Sequence, residues 1–218
     1  MRSRVVEFVR WRLGDRGPHN PIRRRQYWWA FGGDSWIPLV APYDSGGRVS
    51  TVPALSAAIR AEGQQLLDAH DSAPLTHELW REAWELRDDH PRSALLIGMS
   101  ALEIGLKQHI AAMEPGTTWL LEAMPAPSAA RLMGEYVPKL HGRDRVFTRQ
   151  QLDLVKKATA ARNKVTHTGG VEVRADFLDA VLELVRTVLR TLEFLAGHRW
   201  AAYEVPPART EDYPDRRE

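Results

Sequence analysis

Between Pro91 and Met113 the apolar residues Leu95, Met99, Leu102, Leu106, Ile110 and Met113 recur at the three-to-four-residue period of an α-helix. Glu103 sits with Ser100 and Lys107 on one narrow polar strip of this helix. Its longest apolar run, 94–106, contains Glu103 and is well short of the roughly 20 residues that cross a bilayer. Such a segment has to be covered by other helices.

The covering helices follow in the same chain. Leu55, Ile59, Leu66 and Leu67 predict a helix to about residue 69, and Leu75, Leu79, Trp80, Ala83 and Trp84 another from Pro74 to about Asp89. Pro91 stands where a first-turn proline belongs, and Pro115-Gly116 ends the helix it opens. A shorter, proline-interrupted helical stretch is expected over 117–141. Thr148 reads as the N-cap of a helix carrying Leu152, Val155, Ala158 and Val165 and ending at Thr168-Gly169-Gly170. Phe177, Val181, Leu184, Val188, Leu192 and Leu195 mark a last helix over 175–196. Antiparallel helices with short connections imply a mainly α protein built as a helical bundle over 51–200.

The first 50 residues are of another kind. They hold nine arginines against Glu7, Asp15, Asp34 and Asp44, a net +5, whereas the whole chain of 218 residues sums to only +2. Val5–Leu13, Tyr27–Phe31 and Trp36–Val40 are rich in β-branched and aromatic residues, with Gly and Pro between them. They predict a small basic β hairpin or meander. The polar, proline-containing residues 201–218 read as a flexible tail.

Absences narrow the chemistry. The chain has no cysteine, which excludes disulfides, thiolate metal sites and a cysteine nucleophile. It lacks a glycine-rich phosphate loop, a Gly-x-Ser-x-Gly elbow and a His-Glu-x-x-His helix, and His70 and His77, two helical turns apart, are too far from each other to share a metal ion. No metal and no cofactor are expected. Charges at Glu7, Arg10 and Arg12 break up any signal-peptide core, so the expected location is the cytoplasm.

One segment gathers suitable groups: Arg162-Asn163-Lys164-Val165-Thr166-His167, at a helix end. An arginine keeps its charge and can hold a phosphate through a transition state, and a histidine can move a proton near neutrality. With 25 arginines and eight histidines, about one Arg-x4-His spacing arises by chance, so its weight lies in context. Asn163 and His167 share a face, but Arg162 and His167 stand about 140° apart on an ideal helix. Closing both around one phosphate requires the helix to end near Thr166, or a second copy of the motif.

The helix 93–107 with Glu103, followed by Lys156-Lys157-Ala158 leading into Arg162-Asn163-Lys164-Val165-Thr166-His167, resembles the HEPN superfamily of helical nucleotide-binding and endoribonuclease domains. The likeness extends over roughly 53–200 in helix order. It implies a HEPN-like antiparallel bundle and a metal-independent endoribonuclease, with Arg162 and His167 as catalytic residues and Asn163 beside them. The products would be 2′,3′-cyclic phosphate and 5′-hydroxyl ends. It also implies a homodimer with a composite site, and a toxin or antiviral-defence role with an antitoxin or defence-system partner. Inactive members serve instead as modules that bind a nucleotide or a protein.

Plainer roles are open for the same residues. Arg162, Asn163 and His167 could cap a helix C-terminus. Glu103 could pair with Lys107 on the surface or, half-buried among apolar neighbours, orient Arg162. Lys164 and the run Arg23-Arg24-Arg25, beside Tyr27-Trp28-Trp29, would contact RNA or form a solvated strand edge.

Overall fold

The computed structural model describes residues 7, 8, 10–12, 28–30, 36–38, 61, 64, 73–118, 127–168, 172–198 and 201, the strand residues by their backbone alone. The architecture of these residues is mainly helical. Strands β1 (Trp28–Ala30) and β2 (Trp36–Pro38) pair antiparallel, with Trp29 opposite Ile37. The bundle follows as α1 (Leu75–Leu86), α2 (Pro91–Met113), α3 (Ala129–Arg131), a π-helical turn (Leu132–Tyr136), α4 (Val137–Leu140), α5 (Arg149–Thr168) and α6 (Ala175–Leu195).

Helix α2 is the axis of the core. Leu95, Met99, Leu102 and Leu106 are fully buried, as the stripe predicts. Gly98 and Gly105 explain how closely α6 approaches. A Cβ at Gly98 would stand 2.6 Å from Leu182 Cδ2, and one at Gly105 2.5 Å from Leu189 Cδ2. Both pairs advance together along the chain, so α2 and α6 run parallel. The same glycines face Ala83 and Thr76 of α1 in reverse order, which makes α1 antiparallel to α2. Trp80 is buried and fixes α1 to α6 through an indole N–H donated to the Leu182 carbonyl at 2.9 Å.

Helix ends follow their local chemistry. Pro91 occupies the first turn of α2. Arg87 stacks 4.8 Å over Trp84 and donates to the Trp84 carbonyl, closing α1 earlier than Asp89. At α5, Thr148 Oγ1 accepts from the Gln151 N–H while Gln151 Oε1 accepts from the Thr148 N–H, the reciprocal bonds of a capping box. Pro138, which has no N–H to donate, stands two residues beyond the end of the π-helical turn that interrupts the stretch 129–140.

One expectation is overturned. Glu7, Phe8 and Arg10–Arg12, read from composition as part of a strand, are helical. Tertiary contacts decide the matter: Phe8 and Trp11, three residues apart, are both buried, and Trp11 reaches α1 and α6. The expected helix to residue 69 lies outside the described residues apart from Ala61 and Gln64, which are helical. The rest of the front end and residues 202–218 likewise lie outside them, whereas Ala201, at the head of the expected tail, is buried. Among the described residues no helix is long and apolar enough to cross a membrane.

Candidate functional site

Helix α5 lies on the core by a thin stripe. Of its twenty residues only Val155 and Ala158 are fully buried. Arg162 continues that stripe one turn beyond Ala158, so its side chain is directed along α2 rather than into solvent. There it meets Glu103. Arg162 Nη2 donates to Glu103 Oε2 at 2.8 Å, each side chain being about 30% exposed. Nη1 donates to Asn163 Oδ1 at 3.2 Å.

The carboxylate thus serves the arginine on the neighbouring helix, and Glu103 is not spent on a surface pair with Lys107. Two of the five donors of a guanidinium are engaged, and among the described residues the others have no protein acceptor. An anion arriving at this rim would find them.

Arg162 turns its guanidinium to Glu103 and Asn163, not to a carbonyl at the end of α5. Thr166 Oγ1 donates to the Arg162 carbonyl and Thr168 Oγ1 to the Lys164 carbonyl. Both are bonds back to the carbonyl four residues earlier, inside the helical ladder. Asn163, Lys164 and His167 are exposed. The helix continues without a break through Thr168. It therefore does not end near Thr166, and within one chain His167 stays about 140° around the helix and about 7.5 Å along it from Arg162. The structure brings Arg162, Glu103 and Asn163 together and leaves Lys164 and His167 on the outer face. Arg23, Arg24 and Arg25 lie outside the described residues.

A second polar cluster was not visible in the sequence. Glu193 on α6 accepts from His77 Nε2 at 2.6 Å and from the Trp11 indole, and binds Arg190 at 2.9 Å. Arg190, 1% exposed, also donates to the Trp11 carbonyl. Burial alone would raise the Glu193 carboxyl; His77, Arg190 and the indole overcome it and hold it below the ordinary range. Burial pushes His77 down against the pull of Glu193, leaving it a neutral donor. Beside this cluster a cleft of about 200 Å³ opens, lined among others by Trp11, His77, Gln108, His109 and His198. Glu193 also lines it, but both its oxygens are already engaged.

Burial and the neighbouring His141 lower His109, which stands on the same cleft, to about 4. Its Nε2 lies 2.9 Å from His141 Nε2. Residues so far apart in the chain leave no spacing signal. Among the described residues no three His, Asp or Glu side chains converge as a metal site would require. Comparison of the chain with family models, with curated proteins and with solved structures returns no match.

Proposed function

We propose that the protein is a HEPN-type, metal-independent endoribonuclease whose site is built on Arg162 and His167. The observation that supports this reading is the Glu103–Arg162 pair at 2.8 Å. It holds a half-exposed guanidinium at the bundle rim with donors to spare, beside exposed Asn163, Lys164 and His167. In the reaction, His167 takes the proton of a ribose 2′-hydroxyl as that oxygen attacks the adjacent phosphorus. The P–O5′ bond breaks, the leaving oxygen acquires a proton, and a 2′,3′-cyclic phosphate and a 5′-hydroxyl remain. Arg162 stabilises the charge that accumulates on the phosphoryl oxygens. Lys164 adds attraction for the RNA backbone. Such chemistry suits a toxin or defence effector held in check by a partner.

Because the two groups stand apart on an unbroken helix, this reading has them meet from two chains. In a homodimer with its two-fold axis at the ends of α5, Arg162 of one protomer and His167 of the other share a cleft. For a protomer alone the same geometry favours a second reading, a silent module that binds a nucleotide or a protein.

The purified chain is incubated with RNA in EDTA and the product ends are identified. Wild type should cleave, leaving cyclic phosphate, while Arg162→Ala and His167→Ala each lose about 10²-fold or more. Mixing these two variants should restore part of the activity, because a mixed dimer holds one complete Arg–His pair. Equal cleavage by His167→Ala, or loss of cleavage on chelation, would refute the assignment. Absence of cleavage in the wild type would favour the silent module.

A further inference from the structure

The outer side of α5 is not spent on the fold. On a 3.6-residue helix, Arg149, Lys156, Lys157, Lys164 and His167 fall within about 100° of arc, opposite the buried Val155 and Ala158. All five are exposed. The arc runs about 27 Å from Arg149 to His167. Asp153 is the one acid of the helix, and it meets Lys156 at 3.5 Å with both side chains more than half exposed. Such a pair is worth little in water and yields to an incoming phosphate. Among the described residues Arg149, Lys157 and Lys164 enter no ion pair.

Charge of the other sign gathers on α1. Glu82 and Glu85 are exposed on that helix, and Asp88 and Asp89 are exposed directly after it. The arginines nearby do not offset them at the surface: Arg81 is buried, and Arg87 is drawn to Asp88 and Asp179. A polyanion is therefore repelled from α1 and attracted to α5. His167 stands on the attracting face, so a strand lying along that face reaches the imidazole.

Resting on the nuclease reading, we propose that this face of α5 is a track for single-stranded RNA, held by its phosphates from the scissile bond at His167 back toward Arg149. Attack by a 2′-hydroxyl needs that oxygen, the phosphorus and O5′ in line. A stacked duplex does not allow this, so the strand at the site is single. Lys164, Lys157, Lys156 and Arg149 meet successive stretches of its backbone. Helix α5 has no Phe, Tyr or Trp on which a base could stack. The track therefore holds all sequences alike, because phosphate contacts position a strand without reading it. Base preference is left to the composite cleft.

The test uses the full chain and a short 2′-O-methyl RNA, in which the attacking hydroxyl is blocked, so fluorescence anisotropy reads binding independently of cleavage. Wild type should bind, with the logarithm of the affinity falling linearly against the logarithm of salt concentration. The double variant Lys156→Gln/Lys157→Gln should bind about 10-fold more weakly at low salt. Its salt slope should be smaller by about 1.4, two contacts at about 0.7 each. Uridine-rich and adenosine-rich strands should lose equally. In cleavage, the same variant should raise KM for a long RNA. It should leave a dinucleotide unaffected, because that substrate cannot reach Lys156, about 16 Å along the helix from His167. Binding without cleavage by the wild type would keep the track and favour the silent module. No binding by the wild type, an unchanged slope in the double variant, or binding to phosphatidylserine vesicles as tight as to RNA would overturn the track.

Discussion

Two arginine–carboxylate pairs of this protein have nearly the same contact distance and opposite surroundings. Arg190 and Glu193 meet at 2.9 Å with side chains 1% and 11% exposed, and His77 and Trp11 take up the rest of the carboxylate. Arg162 and Glu103 meet at 2.8 Å with both side chains about 30% exposed and spare donors on the arginine. Contact distance does not separate a structural pair from an available one; burial and partner saturation do. The inner pair ties the N-terminal helical segment to α1 and α6. The outer pair aims a cation at the rim, where a ligand can still reach it.

The largest effect expected from this contrast is on stability. Glu193→Gln removes the charge that compensates a buried guanidinium. It should cost about 3–5 kcal/mol, lowering the melting temperature by roughly 10 °C or more. Denaturant unfolding followed by circular dichroism checks this value. A loss below about 1 kcal/mol would place the inner pair with ordinary surface bridges.

The inner cluster should also set the acid response. His77 is held neutral in the fold, so the unfolded chain binds its proton first, and stability declines as pH falls below about 6.5. Glu193, held below its ordinary range, adds a further loss as pH falls through 4.5 and lower. Both contributions have the same sign. Melting temperatures across pH 7.5 to 4 should therefore fall steadily, and His77→Gln, which keeps an N–H donor without titrating, should flatten the upper part of that decline. A wild-type curve that rises on acidification would contradict the assignment of a neutral His77.

Smaller effects sharpen the outer half of the comparison. Thr148→Ala breaks the capping box that begins α5 and should cost about 1 kcal/mol, measured by thermal unfolding, without altering the rim. Glu103→Gln keeps the shape and loses only the charge of a half-exposed pair, for which well under about 1 kcal/mol is expected. A large thermal shift in Glu103→Gln would make the outer pair structural as well.

The bundle was legible where neighbours in sequence are neighbours in space. The stripe from Leu95 to Ile110 announced the central helix because burial of α2 follows the 3.6-residue period. Thr148 announced the start of α5 because a cap and its partner are three residues apart. The Glu103–Arg162 contact, 59 residues apart in sequence, was legible as one of two options, since a carboxylate among apolar neighbours needs a partner that sequence alone does not name. Trp11 was misread because strand-rich composition is outweighed by packing against elements nearly two hundred residues away. His77–Glu193 and His109–His141 gave no usable signal, because each joins elements that only the folded chain brings together.

The division of labour between the two pairs is tested most directly by measuring Glu103→Gln and Glu193→Gln side by side, each for thermal unfolding and for RNA cleavage in EDTA. The account predicts that Glu103→Gln loses cleavage at least about tenfold while melting within a few degrees of wild type. It predicts that Glu193→Gln melts far lower yet cleaves at close to the wild-type rate per folded molecule. Full cleavage by Glu103→Gln at unchanged stability, or loss of cleavage in fully folded Glu193→Gln, would contradict it.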